Sequence, residues 1–529
     1  MADLQSQEKC CPKTPQELGL PERFQQWRSN QAEGINAATR DLNRVTVICA
    51  PTGFGKELLC VGTARLSGVP TCIVTDSRGL QDQYLSTYKD IGIADLRGRR
   101  NYECSFKKDP DYTCEEGYNA RCPYKGTVMC PASQAEMRAA TSNLVLTNYD
   151  KWTRARKSGL GLSHIQQVIF DECHAMPDAL ARAMQVVLHY KEIEETLKIP
   201  FPQGGDADTM HEWKSWAAAA REIANQEVME LRDKIARSVD PKTSWVKHYI
   251  HMKELTRRLG VISTCAPKDW VVEQITGGYQ FDPIRPGRYS ESALFLNVPK
   301  IVCVSATVRP KTMYMTGLAA HKFTFIEYPS EFDPHRCPVY WVPTMKVRGQ
   351  GQDLSQLWQR LDQWIARRRG RNGIVHTISY DRQQQIISSS RFSDHMLINK
   401  RGEPPTEMVE DFKSRPDTGT ILVSPSIHTG YDFPFNQCRW QFVAKVPFEP
   451  PSKILKARQE ADKEYTYYRA LQYLVQAFGR DMRDKSDWSE RIIADDQVEW
   501  LLGKYSHLTP ASFHAVFKKV EILPPPLNL

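Results

Sequence analysis

The chain has no run of about 18 uninterrupted apolar residues, and its polar N-terminus, Met1 to Gly19, has no apolar h-region. Hydropathy therefore gives no membrane span and no secretory signal, and the expectation is a soluble, intracellular, cytoplasmic protein. No C-x-x-C pair occurs among the 14 cysteines, which argues against a zinc ribbon or finger. No internal repeat of the kind that builds solenoids is present. Charge of one sign is not in large excess. A net +8 over 529 residues permits nucleic-acid binding without demanding it, so any groove must be basic locally. With 41% hydrophobic and 25% charged residues the composition is that of an ordinary globular chain, which excludes general disorder. The length exceeds what one core sustains, so roughly two to four domains are expected.

What is present is organised around Ala50-Pro51-Thr52-Gly53-Phe54-Gly55-Lys56-Glu57, a glycine-rich loop after the apolar run Val45 to Cys49 and before the helical pattern Leu58 to Arg65. Strand, glycines and helix N-terminus are the arrangement in which backbone N–H groups converge on a phosphate, with Lys56 placed to meet the outer phosphates. These eight residues are candidate nucleotide ligands. The loop departs twice from G-x-x-x-x-G-K-[ST]. Ala50 for glycine is minor; Glu57 stands where a hydroxyl would ligate Mg²⁺, and a carboxylate adds negative charge beside a triphosphate. Either Glu57 ligates the metal directly or it rotates away and water replaces the hydroxyl. A second site follows Val168 to Phe170: the acidic pair Asp171-Glu172, then Cys173-His174. At the C-terminal end of a buried strand, Asp171 is placed to hold Mg²⁺ and Glu172 to polarise an attacking water.

Apolar β-type runs at Thr71 to Thr75, Leu144 to Thr147, Val168 to Phe170 and Ile301 to Val304 alternate with helical patterns. A second set runs from Val339 to Val342 through Gly373 to His376, Thr420 to Val423 and Trp440 to Val446. This implies two α/β lobes with parallel sheets. From Pro177 to about Asp269 the pattern is helical without β-type alternation, which reads as an insertion in the first lobe; Gly98 to about Thr141, polar and cysteine-bearing, reads as another. Arg97, Arg99 and Arg100 precede the cysteines, and Arg367, Arg368, Arg369 and Arg371 end a helical pattern. Each cluster is equally well a solvated charged face.

With this acidic box after the glycine-rich loop, the chain resembles superfamily 2 helicases, specifically the iron–sulfur XPD/DinG branch. Arg28 and Gln31 resemble its adenine-side motif, Thr75 to Gln83 its motif Ia, and Asn148-Tyr149 the element before the acidic box. Ser305-Ala306-Thr307 resembles motif III and His376 to Tyr380 motif IV. Thr429 to Pro434, with Gly430 and Asp432, is similar to motif V; Gln476 to Arg483 is similar to motif VI. Each match is short, and their order carries the resemblance. Arg480 and Arg483, spaced i, i+3, would bring guanidinium charge from the facing lobe to a transferring phosphoryl group, with Gln476 beside them.

Cys104, Cys114, Cys122 and Cys130, separated by nine, seven and seven residues, stand where that branch carries its cluster-bearing insertion. The resemblance implies a [4Fe–4S] cluster; zinc or free structural thiols remain as alternatives. It implies two RecA-like lobes: lobe 1 from 1–97, 142–177 and 269–334, interrupted by an iron–sulfur insertion at 98–141 and a helical arch at 178–268, then lobe 2 at 335–529. A single strand would pass beneath arch and cluster domain, meeting Arg97, Arg99, Arg100, Tyr102, Lys107, Lys108 and Tyr112, with Thr75, Gln83 and Ser379 also on its path. The implied function is an ATP- and Mg²⁺-dependent 5′ to 3′ helicase or translocase on single-stranded DNA, working on a fork, an R-loop or a hybrid. The implied protein is a monomer open to a recruiting partner, nearest to compact bacterial or phage DinG-like proteins. Two alternatives stay open: a nucleic-acid clamp of the same fold, its ATPase weakened by Glu57, and an unrelated α/β NTPase with a zinc-bound cysteine knuckle.

Overall fold

The computed structural model describes residues 10–155, 162–203, 209–349, 351–427 and 431–529. Five strands come first: β1 (Val45–Cys49), β2 (Thr71–Thr75), β3 (Ala94–Asp95), β4 (Leu144–Asn148) and β5 (Gln167–Asp171). An insertion adds β6 (Val186–His189), β7 (Trp270–Ile275) and β8 (Gly278–Pro283), and the chain returns with β9 (Lys300–Ser305) and β10 (Phe323–Glu327). The first sheet has the order β10-β1-β9-β5-β2-β4-β3, and its neighbours pair in parallel. Every residue of β1, β2 and β5 is buried, because helices cover both faces; that is why these strands read as unbroken apolar runs.

Register then decides what meets. Cys49 lies beside Ser305 and Asp171 beside Val304, so the loops after β1, β9 and β5 leave the same sheet edge side by side. Ligands of open α/β sheets bind at such an edge.

The second lobe follows with β11 (Val339–Met345), β12 (Gly373–His376), β13 (Met396–Ile398), β14 (Ile421–Ser424), β15 (Trp440–Val443), β16 (Glu490–Asp495) and β17 (Phe517–Lys519). These form a second parallel sheet, β13-β14-β12-β15-β16-β11-β17. The arginine run at the end of the helix Ser355–Arg367 is only partly a solvated face: Arg367 and Arg369 are exposed, while the others turn inward. Arg368 is fully buried, 3.0 Å from Glu490 through Nε, with its guanidinium 3.3 Å from the centre of the Trp364 ring. Arg367 donates to the Leu523 carbonyl, and Arg371 lies 3.6 Å from Glu490. The run fastens the C-terminal segment to lobe 2, and a buried pair of this kind is costly to break by removing one partner.

The insertion between β5 and β9 is not wholly helical. Its long helices, Met210–Arg237 and Thr243–Thr264, pack with an antiparallel sheet in the order β6-β8-β7. Thus 270–283, assigned to lobe 1 from sequence, belongs to the insertion. The strands escape a reading of the sequence because β6 has only four residues directly after a helix, and β7 buries Trp270 and Val272 on one face while its other face is half-covered. A two-residue turn at Thr276-Gly277, with Gly277 at φ +80°, closes the β7–β8 hairpin. The cysteine-bearing insertion lies between β3 and β4 and touches the other one: Lys253 Nζ donates to Asn119 Oδ1 at 2.9 Å, and Ala120 packs on Ile235 and Val246. Together with lobe 1 the two insertions close a ring. Among the described residues, no helix is long and apolar enough to cross a membrane.

Candidate active site and nucleic-acid interface

Gly53 and Gly55 take φ +85° and +79°, conformations that only glycine adopts without strain. They turn the chain so that Gly55 becomes the N-cap of the helix Lys56–Ser67. The loop is braced from upstream. Arg28 donates to the Gly53 carbonyl. Gln31 donates to Phe54 O at 2.6 Å and Gly55 O at 3.3 Å, and accepts from the Arg28 amide at 2.7 Å. Both predicted adenine-side residues therefore hold the loop's backbone in this state. Lys56 Nζ sits 3.4 Å from Glu172 Oε1. Glu57 does not turn out to solvent: it accepts a hydrogen bond from Gln83, and burial followed by the nearby Asp171 charge pushes its carboxyl up to about 7.

Asp171 ends β5 and accepts from the Tyr84 hydroxyl and the Glu172 amide, each at 2.9 Å. Burial, then the adjacent Glu172 charge, raises its carboxyl to about 6. Glu172 behaves oppositely. Although burial would raise it, Lys56, His174 and Arg480 hold its carboxyl well below the usual range. Its backbone takes φ +51°, a rare conformation for a non-glycine residue that aims the side chain at Lys56. His174 Nδ1 lies 2.7 Å from Ser305 Oγ, which donates to Glu172 Oε2 at 3.2 Å. The two adjacent carboxylates are thus pushed in opposite directions, with Glu172 the one held ionised.

Lobe 2 reaches the same edge. Gln476 Nε2 donates to Thr307 Oγ1 at 3.2 Å across the lobes. Arg480 is 3.7 Å from Asp432, and Arg483 pairs with the same carboxylate. Gly430 and Thr429 lie outside the described residues. The lobes are joined behind the site by Lys311 to Asp462 (2.6 Å) and Glu464 (2.9 Å), and by Arg469 to Asp178 (2.9 Å). Lys56 and the Arg480 guanidinium thus flank a carboxylate held ionised, a charge arrangement suited to phosphoryl transfer.

Cys104, Cys114, Cys122 and Cys130 line one small shared cavity of about 10 Å³, with Arg99 and Lys125 in its wall. Cys114 and Cys130 stand 3.8 Å apart through sulfur. On the other side Gly117 is in close contact; a Cβ there would come within 3.2 Å of the Cys104 sulfur and 3.8 Å of the Cys122 sulfur. Burial pushes the Cys114 thiol up to about 12. Among the described residues no group of three or more His, Cys, Asp or Glu side chains is placed to hold a metal ion. The thiols surround a void rather than converge on one point. As a donor set, four cysteines with two cations beside them match a thiolate-bound cluster whose charge needs compensation.

The ring closed by the insertions borders an open channel of about 830 Å³. Arg78, Arg99, Arg100, Lys151, Arg154, Lys253 and Arg257 face it, against Asp76, Glu115, Asp150 and Glu254. Of the predicted strand contacts, Arg99 and Arg100 reach it, although Arg99 also pairs with Glu136 at 2.9 Å and covers the Tyr118 ring at 3.6 Å. The others have different partners. Arg97 is held by Asp95 at 2.7 Å and by Asp82. The Tyr102 hydroxyl accepts from the Arg97 amide at 3.0 Å. Thr75 is fully buried, donating to Ser77 O and Thr147 O. Gln83 turns to Glu57, and Ser379 caps the helix Tyr380–Ser389. Tyr112 is buried beneath Lys107. Sequence reasoning missed Lys151 and Arg154 on the helix Tyr149–Ala155 and Lys253 and Arg257 on the helix Thr243–Thr264, two spaced pairs far apart in the chain; only Lys151, three residues after Asn148, had a motif beside it.

Two family models match the chain: Helicase C-terminal domain over residues 363–514, and Type III restriction enzyme, res subunit, over residues 24–201. None of the curated proteins matches. Among solved structures, one named XPD_Helicase is similar with a TM-score of 0.63 at 13% identity, covering 93% of this chain and 98% of that one. Xpd4 of S. tokodaii is similar with a TM-score of 0.59 at 12% identity, covering 93% and 100%. XPD_APO gives 0.58 at 13% identity, with the same coverages. The chain therefore shares the fold of these XPD structures, with two parallel-sheet α/β lobes, and the second lobe matches a helicase C-terminal domain.

Proposed function

We propose that this chain is an ATP-dependent 5′ to 3′ helicase or translocase on single-stranded DNA. The observation that carries the reading is the convergence, across two lobes, of Lys56, Glu172, Thr307, Gln476 and Arg480 on one cleft. The loop N–H groups and Lys56 bind the phosphates of ATP. Asp171 is the metal-holding carboxylate for Mg²⁺, which when bound supplies charge neutralisation between the phosphates. Glu172, kept ionised by Lys56 and His174, accepts the proton of the attacking water. Arg480 and Arg483 steady the charge that develops on the phosphoryl oxygens. Ser305 and Thr307 link the acidic box to Gln476, so the closure state of the lobes is tied to the occupied cleft. The strand threads the basic channel between lobe 1 and the two insertions, the larger of which acts as the arch.

The four cysteines hold a [4Fe–4S] cluster in this reading; when bound, the cluster supplies four covalent tethers that fix the insertion forming one wall of the channel. The shared cavity and the absence of an acidic side chain among its lining residues support it. A brown protein containing iron is the expected preparation, and a protein holding zinc and no iron overturns the assignment. The test of the whole reading is ATPase activity stimulated by single-stranded DNA, measured beside Lys56→Ala, with unwinding of 5′- and 3′-tailed duplexes. Activity lost in the variant and confined to 5′ tails is expected.

One observation favours a second reading, a strand clamp with feeble ATPase: the Glu57 carboxylate stays in the cleft near Asp171. Glu57→Thr decides between them. A large rise in turnover marks a handicapped site, and no change means that the carboxylate is tolerated.

A further inference from the structure

The linker between the lobes, residues 328–338, lies on the phosphate loop. Tyr328 donates its amide to Cys49 O at 3.0 Å, and its ring packs on Phe54 with centroids 5.4 Å apart. Four residues on, the Phe332 ring rests so closely on Gly53 that a Cβ there would overlap it. The segment is anchored on both sides. Glu331 pairs with Lys485 of lobe 2 at 2.6 Å. Against the burial that would raise it, Lys485 and a hydrogen bond from Ser29 keep its carboxyl below the ordinary range. Gly53 is thus held at its carbonyl by Arg28 and covered at its Cα by an aromatic ring.

Loop N–H groups and Lys56 address phosphates, which every nucleoside triphosphate shares. Recognition of the base needs another surface. The Gln31 amide is already engaged at both ends, with the Phe54 and Gly55 carbonyls and the Arg28 amide. What the loop's rim offers is the half-buried, positioned ring of Phe332. We propose that Phe332 is the stacking wall for the base of the bound nucleoside triphosphate, a specificity-determining residue supplied by the linker. This rests on the nucleotide-site reading above.

The experiment compares ATP with inorganic tripolyphosphate, which has the phosphates and no base, in equilibrium binding to wild type, Phe332→Ala, Phe332→Tyr and Lys56→Ala. Expected are ATP affinity reduced on the order of tenfold or more in Phe332→Ala, tripolyphosphate affinity unchanged, recovery in Phe332→Tyr, and loss of both ligands in Lys56→Ala. If Phe332→Ala weakens both ligands alike, the ring only props the loop and the inference is overturned; if it weakens neither, the inference is overturned while the site stands. Wild type that binds neither ligand removes the nucleotide site itself, and the inference with it.

Discussion

In the nucleotide cleft, Lys56, Ser305 and Asp171-Glu172 leave the ends of three adjacent strands within a few residues of each strand's last position. The channel is assembled differently: Arg78, Arg100, Lys151 and Arg257 come from four segments, each giving one or two side chains. A cleft built on contiguous loops depends steeply on single residues, because each occupies a position no neighbour can fill. A channel built from dispersed cations spreads its binding over many weak interactions. The largest effect should therefore come from one guanidinium. Arg480→Ala is expected to lower strand-stimulated ATP turnover by about 10³-fold or more, with strand affinity little changed; a loss below tenfold would mean that the facing lobe does not serve the chemistry.

The same contrast explains what was legible in the sequence. Residues 50–57 and 171–174 and the Gln476 to Arg483 stretch are continuous, so spacing alone announces their chemistry, and the parallel register does the rest. The sheet of β6, β7 and β8 was not legible, since short strands with one face half-covered lack an unbroken apolar signal. Nor were most of the channel cations: Arg99 and Arg100 stand together before the cysteines, but Lys253 and Arg257 join them only where the helix Thr243–Thr264 meets the cysteine-bearing insertion. Type and position also misled: Thr75 and Ser379 have the hydroxyls a strand would use, but local backbone groups engage them first.

The cysteine insertion lies between these extremes, four local residues with a shared task. Cys114→Ser should remove iron from the purified protein and reduce strand binding several-fold, since the wall carrying Arg99 and Arg100 loses its tether; ATP binding should persist because the cleft is built by the loops after β1, β5 and β9 and not by the insertion after β3. Retention of iron at the wild-type level, read by metal analysis, would leave Cys114 outside the ligand set.

A smaller change is expected at the channel. Arg100→Ala with Arg257→Ala should weaken single-strand binding a few-fold and reduce the slope of log affinity against log salt by about 1 for each phosphate left without its cation. Arg99 is a poorer probe, because it also pairs with Glu136 and lines the cysteine cavity. An unchanged slope would move the strand elsewhere and remove the contrast between the two regions.

The smallest effect should come from the residue that departs from the phosphate-loop pattern. In the folded protein Glu57 titrates near 7 because of burial and the Asp171 charge, whereas in the unfolded chain it titrates near its ordinary 4.5. The folded state then binds the extra proton, so this group's contribution to stability falls as pH rises from about 4.5 through about 7, and the full penalty is present above that. Glu57→Gln abolishes the penalty and keeps a partner for Gln83. The variant should melt at the wild-type temperature near pH 4.5 and a few degrees higher at pH 8, with the gap opening through the window between. A gap constant across pH would show that the carboxylate stays ionised throughout, and a Glu57 ionised without Mg²⁺ is a better metal ligand than one that must first release a proton.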